Sequence, residues 1–143
     1  MIYFDTSYLV RLYLEDEAFD LVRSLAKTSA IACSFHGEIE SIAAFHRVYR
    51  EKRLSHAKYL SLLDQFHADS KNGAMNWLPV GREVIPKLEK VYRTASATFF
   101  LRAADALHLI CARENGFTEI YSNDTRMLAA APAFGLKGKN IIK

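Results

Sequence analysis

Four carboxylates, and the hydroxyls beside two of them, are where this sequence offers chemistry. Asp5 ends the apolar run Ile2-Tyr3-Phe4 and is followed by Thr6 and Ser7. Asp124 follows a second such run, Glu119-Ile120-Tyr121, after Ser122 and Asn123. Between them Glu40 and Asp105 fall within helical patterns, Asp105 among Ala103, Ala104, Ala106, Leu107, Leu109 and Ile110. An unpaired charge in such surroundings is expensive, so Asp105 needs an arginine, a metal ion or a place at the rim of a site. Four carboxylates brought together would repel and raise one another's pKa values unless cations neutralised them. Mg2+ or Mn2+ suits an oxygen-only cluster, keeping some of its water while a few carboxylates hold it. The reaction this favours is metal-assisted hydrolysis of a phosphodiester. One ion would activate water and a second, about 4 Å away in two-metal sites, would steady the leaving oxygen. The plainer reading of Asp5 is a helix N-cap that shares the work with Thr6 or Ser7.

Such residues need a scaffold that delivers strand ends to one place. The run before Asp5 is continuously apolar, as a buried strand of a parallel sheet is, and ligands of such sheets bind beyond the carboxyl ends of the strands. The pattern then predicts a helix over Tyr8–Leu14 and a second opening at Glu15-Asp16-Glu17, where acids favour the helix dipole. A strand over Ala30–Cys33 ends at Ser34, and a long helix runs from about Gly37 to Lys52 with Ile39, Ile42, Phe45 and Tyr49 apolar. Ser55 reads as the cap of a further helix that stops at Asn72-Gly73, so the two long helices form a hairpin. Trp77–Val80 is a short strand, followed by a helix carrying Val84, Leu88 and Val91 whose boundary near Pro86 is open. The clearest helix spans about Leu101–Asn115 and is stopped by Asn115-Gly116. A strand over Glu119–Ser122, a short helix over Thr125–Ala131 broken at Pro132, and a last strand at Asn140-Ile141-Ile142 complete the chain. This alternation predicts an α/β fold with a parallel sheet in three layers. No repeat or composition shift marks a second unit, so the expectation is one domain over residues 1–143.

Half of the residues are hydrophobic and 24% are charged, which excludes general disorder. A net charge of +3 and a pI near 8.9 fit a polyanionic partner without requiring one. Cys33 and Cys111 lie far apart with no metal-ligand spacing around them, which argues against both a disulfide framework and a zinc site. They read as small buried hydrophobes in a reducing compartment. No apolar run is long enough to span a bilayer and no charged leader precedes the first strand, so the expectation is a soluble cytoplasmic protein.

In combination, Asp5-Thr6-Ser7, a helix initiated at Ser34 with Glu40 six residues on, Arg102-Ala103-Ala104-Asp105-Ala106-Leu107-His108-Leu109 and Ser122-Asn123-Asp124 resemble the PIN-domain ribonucleases. More narrowly they look like the VapC-type toxins of toxin-antitoxin pairs, in order and over nearly the whole chain. The resemblance implies a PIN-like three-layer α/β/α domain with a central parallel sheet. It also implies a metal site of Asp5, Glu40, Asp105 and Asp124, with Thr6, Ser7 and Ser122 in support. Ser122 stands where the family usually has threonine and keeps the hydroxyl. Glu38 lies two residues from Glu40 and only one of them can face a site, the spacing from Ser34 favouring Glu40. By the same resemblance the expected activity is a Mg2+-dependent endoribonuclease. Its partners are a VapB-like antitoxin covering the acidic site and a second copy in a homodimer.

Arg47, Arg50 and Arg53, with Lys52 and Lys58, form the densest basic run. It is either a grip on RNA phosphates or a solvated face. His108 is more simply a packed histidine than a ligand or general base, and the aromatics Tyr8, Tyr13, Phe45, Tyr49, Phe99 and Phe100 are more simply core or interface. Arg102 either counters the acids or faces solvent. Three rivals accompany the toxin reading. One is a PIN nuclease of RNA processing or DNA repair without an antitoxin. A second is a catalytically silent binding module. The third, a haloacid-dehalogenase-type phosphatase, is discounted because Ser7 stands where that family needs a second aspartate.

Overall fold

The chain enters the sheet at once: Ile2–Tyr3 forms β1, and Asp5 already caps the helix that follows, α1 (Thr6–Leu9). The structure, a computed structural model, describes residues 1–142. A 3-10 turn over Val10–Leu12 extends α1, and α2 runs over Phe19–Ala26. β2 (Ile31–Ser34) leads into α3 (Phe35–Arg50), which forms a hairpin with α4 (His56–Lys71). β3 (Met75–Leu78) and α5 (Ile85–Thr94) follow, then α6 (Ala103–Glu114), β4 (Glu119–Tyr121), α7 (Thr125–Ala130) and β5 (Lys137–Lys139).

β1, β2 and β3 pair in parallel, as do β4 and β5. A parallel bridge between Phe4 and Tyr121, with Asp5 N–H donating to the Tyr121 carbonyl at 3.0 Å, joins the two sheets. The spatial order is therefore β3-β2-β1-β4-β5, and it changes direction between β1 and β4. That is the switch point beyond which ligands of open α/β sheets bind. Asp5 and Ser122 stand on the two sides of it.

Because successive strand residues face opposite ways, Tyr3 and Phe4 serve different cores. Phe4 packs with Tyr8, Leu9, Val22, Phe45 and Phe66 under α1 to α4. Tyr3 packs with Leu109, Ile110, Ile120, Met127 and Phe134 under α6 and α7. Helices thus cover both faces, giving the three layers that the sequence implies. Gly37 lets α3 approach β2, since a Cβ there would collide with Cys33 Sγ and lie 3.3 Å from His108 Cε1.

Several predicted boundaries move. The second helix starts at Phe19 rather than at Glu15, after Ala18 takes a left-handed φ of 58°. Pro86 falls at the second residue of α5, where its missing N–H costs nothing. The last strand is Lys137–Lys139, not Asn140-Ile141-Ile142. Asn140 instead accepts from Tyr8 Oη at 2.9 Å and from Ile142 N–H at 3.0 Å, folding the tail back on α1. Cys33 and Cys111 are both buried free thiols. Among the described residues no helix is long and apolar enough to cross a membrane.

Candidate functional site

Asp5, Glu40, Asp105 and Asp124 line one cavity of about 520 Å3, together with Thr6, Ser7, Arg47, Arg50, Arg102 and His108. Each acid arrives on a different element. Asp5 comes off the end of β1, Glu40 from the second turn of α3, Asp105 from the first turn of α6, and Asp124 from the cap of α7. Glu40 and not Glu38 faces the cavity. Ser34, accepting from Gly37 N–H at 3.3 Å, starts α3 in the register that puts it there.

Asp5 is 3% exposed and fully engaged. Its Oδ1 accepts from Ser7 Oγ at 2.6 Å and from Tyr8 N–H at 3.2 Å, and its Oδ2 accepts from Ser122 Oγ. Both hydroxyls do a second job: Ser7 Oγ accepts Asn123 N–H and Ser122 Oγ accepts Asp124 N–H, each at 2.9 Å. The two serines therefore tie Asp5 to the turn that carries Asp124 across the switch point. Burial pushes the Asp5 carboxyl above its ordinary value, against the pull of His108 and the hydrogen bonds from Ser122, Ser7 and Tyr8.

Glu40 is held from below. His108 Nε2 lies 2.6 Å from its Oε1, and Thr6 Oγ1 donates to the same oxygen at 2.8 Å. An ionised Glu40 can only accept, so His108 Nε2–H donates that bond. At the other edge of the ring, Tyr3 Oη lies 2.9 Å from His108 Nδ1 and accepts Ser34 N–H at 3.0 Å. Burial raises the Glu40 pKa, but the hydrogen bond and charge of His108 and the Thr6 hydroxyl outweigh it and hold the carboxyl low. His108 is buried, as the sequence suggests, yet its polar edge positions a site carboxylate. The signal available in sequence was its place three residues after Asp105, on the same helical face.

Asp105 is 6% exposed and receives Arg102 Nε at 3.2 Å. The same guanidinium reaches Asp124 Oδ2 through Nη2 at 3.2 Å, while Asp124 Oδ1 caps α7 by accepting from Arg126 and Met127 N–H. Burial lifts the Asp105 carboxyl, Arg102 opposes it, and the charge of Asp124 adds to the rise. Arg102 is the helix N-cap residue of α6, and since its guanidinium has no acceptor to offer the helix N–H groups, it turns its donors to the acids.

Among the described residues no group of three or more His, Cys, Asp or Glu side chains is disposed to hold a metal ion. The donor chemistry nevertheless suits a hard divalent cation: anionic oxygens from four elements face one cavity. The cation now bridging Asp105 and Asp124 sits on an exposed, unencumbered side chain. Of the predicted basic residues, Arg47 and Arg50 line the cavity. Arg53 does not; it pairs with Asp16 at 2.9 Å and Glu51 at 3.3 Å.

No match was found among curated proteins. A family model described as PIN domain matches residues 2–132, which span every element that carries a cavity acid. PIN domains are in general metal-dependent nucleases, and with its parallel sheet, flanking helices and match over most of its length this chain belongs to the PIN-domain family.

Proposed function

We propose that this chain is a Mg2+- or Mn2+-dependent endoribonuclease and the toxin half of a toxin-antitoxin pair. The observation that carries the reading is the meeting of Asp5, Glu40, Asp105 and Asp124 around one cavity with Arg47 and Arg50 on its rim. Clustered acids suit a divalent ion, and flanking arginines suit a phosphodiester strand. Asp5, Glu40, Asp105 and Asp124 would hold a divalent cation, which would supply the charge to activate water and balance the leaving oxygen. The chain's own residues do the rest. Ser7 and Ser122 fix Asp5, the Tyr3-His108 pair and Thr6 fix Glu40, and Arg102 holds Asp105 and Asp124 on one guanidinium. Arg47 and Arg50 hold the strand.

The toxin role draws on the likeness to VapC-type toxins in motif order and length. It carries with it a VapB-like antitoxin whose tail covers the acidic cavity, a homodimer, and action in the cytoplasm. A second reading, a catalytically silent binding module, is favoured by one observation, the Arg102 bridge that parts two of the acids. Incubating total RNA with the purified protein in Mg2+ or Mn2+, in EDTA, and with an identically prepared Asp105→Asn variant separates the two. The nuclease reading predicts discrete fragments that require metal and vanish in the variant. Intact RNA in every condition, with the protein free of antitoxin, would favour the silent module.

A further inference from the structure

We propose that the groove beside the acidic cavity, built on Phe100 and Arg126, seats an unpaired nucleotide adjoining the one whose phosphodiester is cut. This rests on the nuclease reading and deepens it by naming how the substrate strand continues past the acids.

The groove has a volume of about 390 Å3 and is lined by Phe99, Phe100, Thr125 and Arg126, with the hydroxyl residues Ser96 and Thr98 beside them. Phe100 is 56% exposed, the second most exposed of the large hydrophobic side chains after Met1. The Arg126 guanidinium lies over its ring, 4.1 Å from the centroid. Arg102 takes the nearby carboxylates Asp105 and Asp124, and among the described residues Arg126 enters no ion pair, so its charge is left for another anion. The groove and the acidic cavity draw on neighbouring residues of the same two chain segments: Phe100 lies two residues from Arg102, and Thr125 and Arg126 directly follow Asp124, where Arg102 and Asp124 line the cavity.

An exposed aromatic ring, a planar cation held against it and a set of hydroxyls are the means by which proteins hold single-stranded nucleic acid. The base stacks, the phosphate meets the guanidinium, and sequence matters little. A duplex keeps its base faces inside the stack and cannot use Phe100 in this way. The occupant is therefore a strand that is unpaired at this point. Arg47 and Arg50 of α3 line the cavity and Arg126 of α7 lines the groove, so each of the two carries cations for the phosphates of one strand.

The test is fluorescence anisotropy in EDTA with labelled oligoadenylate, its deoxy counterpart and an abasic strand of equal length. The proteins are wild type, Phe100→Leu, Arg126→Gln, and Arg113→Gln, whose side chain lines the groove between α5 and α6 that meets this one only at Phe99. Melting temperatures verify that all are folded. Phe100→Leu and Arg126→Gln should each weaken oligoadenylate binding about tenfold, with Arg113→Gln unchanged. Arg126→Gln should also flatten the dependence of log K on log salt by about 0.7, whereas Phe100→Leu should not change it and should bind the abasic strand as wild type does. Equal losses for the RNA and DNA oligomers would assign the groove to base and phosphate alone, and a loss confined to RNA would assign it to the ribose strand. Wild-type affinity in both groove variants, alongside weakened binding in an Arg47→Gln/Arg50→Gln protein, would overturn the groove and leave the nuclease reading standing. Failure of the wild type to bind either oligomer would overturn both.

Discussion

Asp5 is at once a helix cap and a cavity-lining carboxylate: the bond from Tyr8 N–H that starts α1 also fixes the carboxylate at the cavity. The cap reading is therefore compatible with the reading that gives Asp5 a chemical role. The part played by His108 was less legible, because its orientation depends on Tyr3, 105 residues away, and no spacing reports such a pairing. The acids differ in sign as contributors to stability. Asp5 and Asp105 have folded pKa values raised above 3.8, so as pH rises the unfolded chain releases these protons first and stability falls through that window. Glu40, lowered from 4.5, contributes stability that is present above that value and is lost as pH falls through the folded one. In metal-free protein the urea midpoint of Asp105→Asn should therefore gain on wild type as pH rises above the ordinary carboxylate value, and added Mg2+ should narrow the gap. A pH-independent difference would contradict this assignment of charge. At the same scale, Asp105→Asn should abolish metal-dependent cleavage while leaving the fold intact by circular dichroism.

Among the elements, those with a physical punctuation mark were legible. Ser34 and Ser55 cap α3 and α4 by accepting from Gly37 and Lys58 N–H, and Gly116 with a φ of 80° ends the α6 region. β5 was not, because Lys137-Gly138-Lys139 is an edge strand with no apolar pattern, while the apolar Ile141-Ile142 that follows is drawn back by Asn140. Element packing also sets the site. Gly37 is the point at which α3 touches β2 and α6, so Gly37→Ala should displace α3 and the Glu40 it carries. We expect a loss of about 1–3 kcal/mol by urea denaturation, and unchanged stability would show that Cys33 and His108 yield without cost. The exposed side of α3 makes a separate prediction. Replacing Arg47 and Arg50 by glutamine should weaken RNA binding and flatten its salt dependence by about 0.7 for each phosphate that is no longer held. An unchanged slope would move the strand off α3.

At the scale of the whole molecule, the strand order β3-β2-β1-β4-β5 makes the site. It brings the first strand and the fourth side by side, so residues 5 and 124 meet although almost the whole chain lies between them. The three-layer fold was readable from alternating strand and helix patterns. The Arg102 bridge was not, since a residue that could face solvent or acids is decided only by where α6 and α7 stand. That bridge makes uptake of a divalent ion the most direct question about the molecule. Titration with Mn2+, followed by the loss of its free-ion paramagnetic resonance signal, should show binding by wild type and severalfold tighter binding by Arg102→Gln. An Asp105→Asn/Asp124→Asn protein that melts cooperatively should bind none. Undiminished Mn2+ binding by that double variant, or no binding by either wild type or Arg102→Gln at millimolar metal, would contradict the assignment of this cavity as a metal-dependent nuclease site.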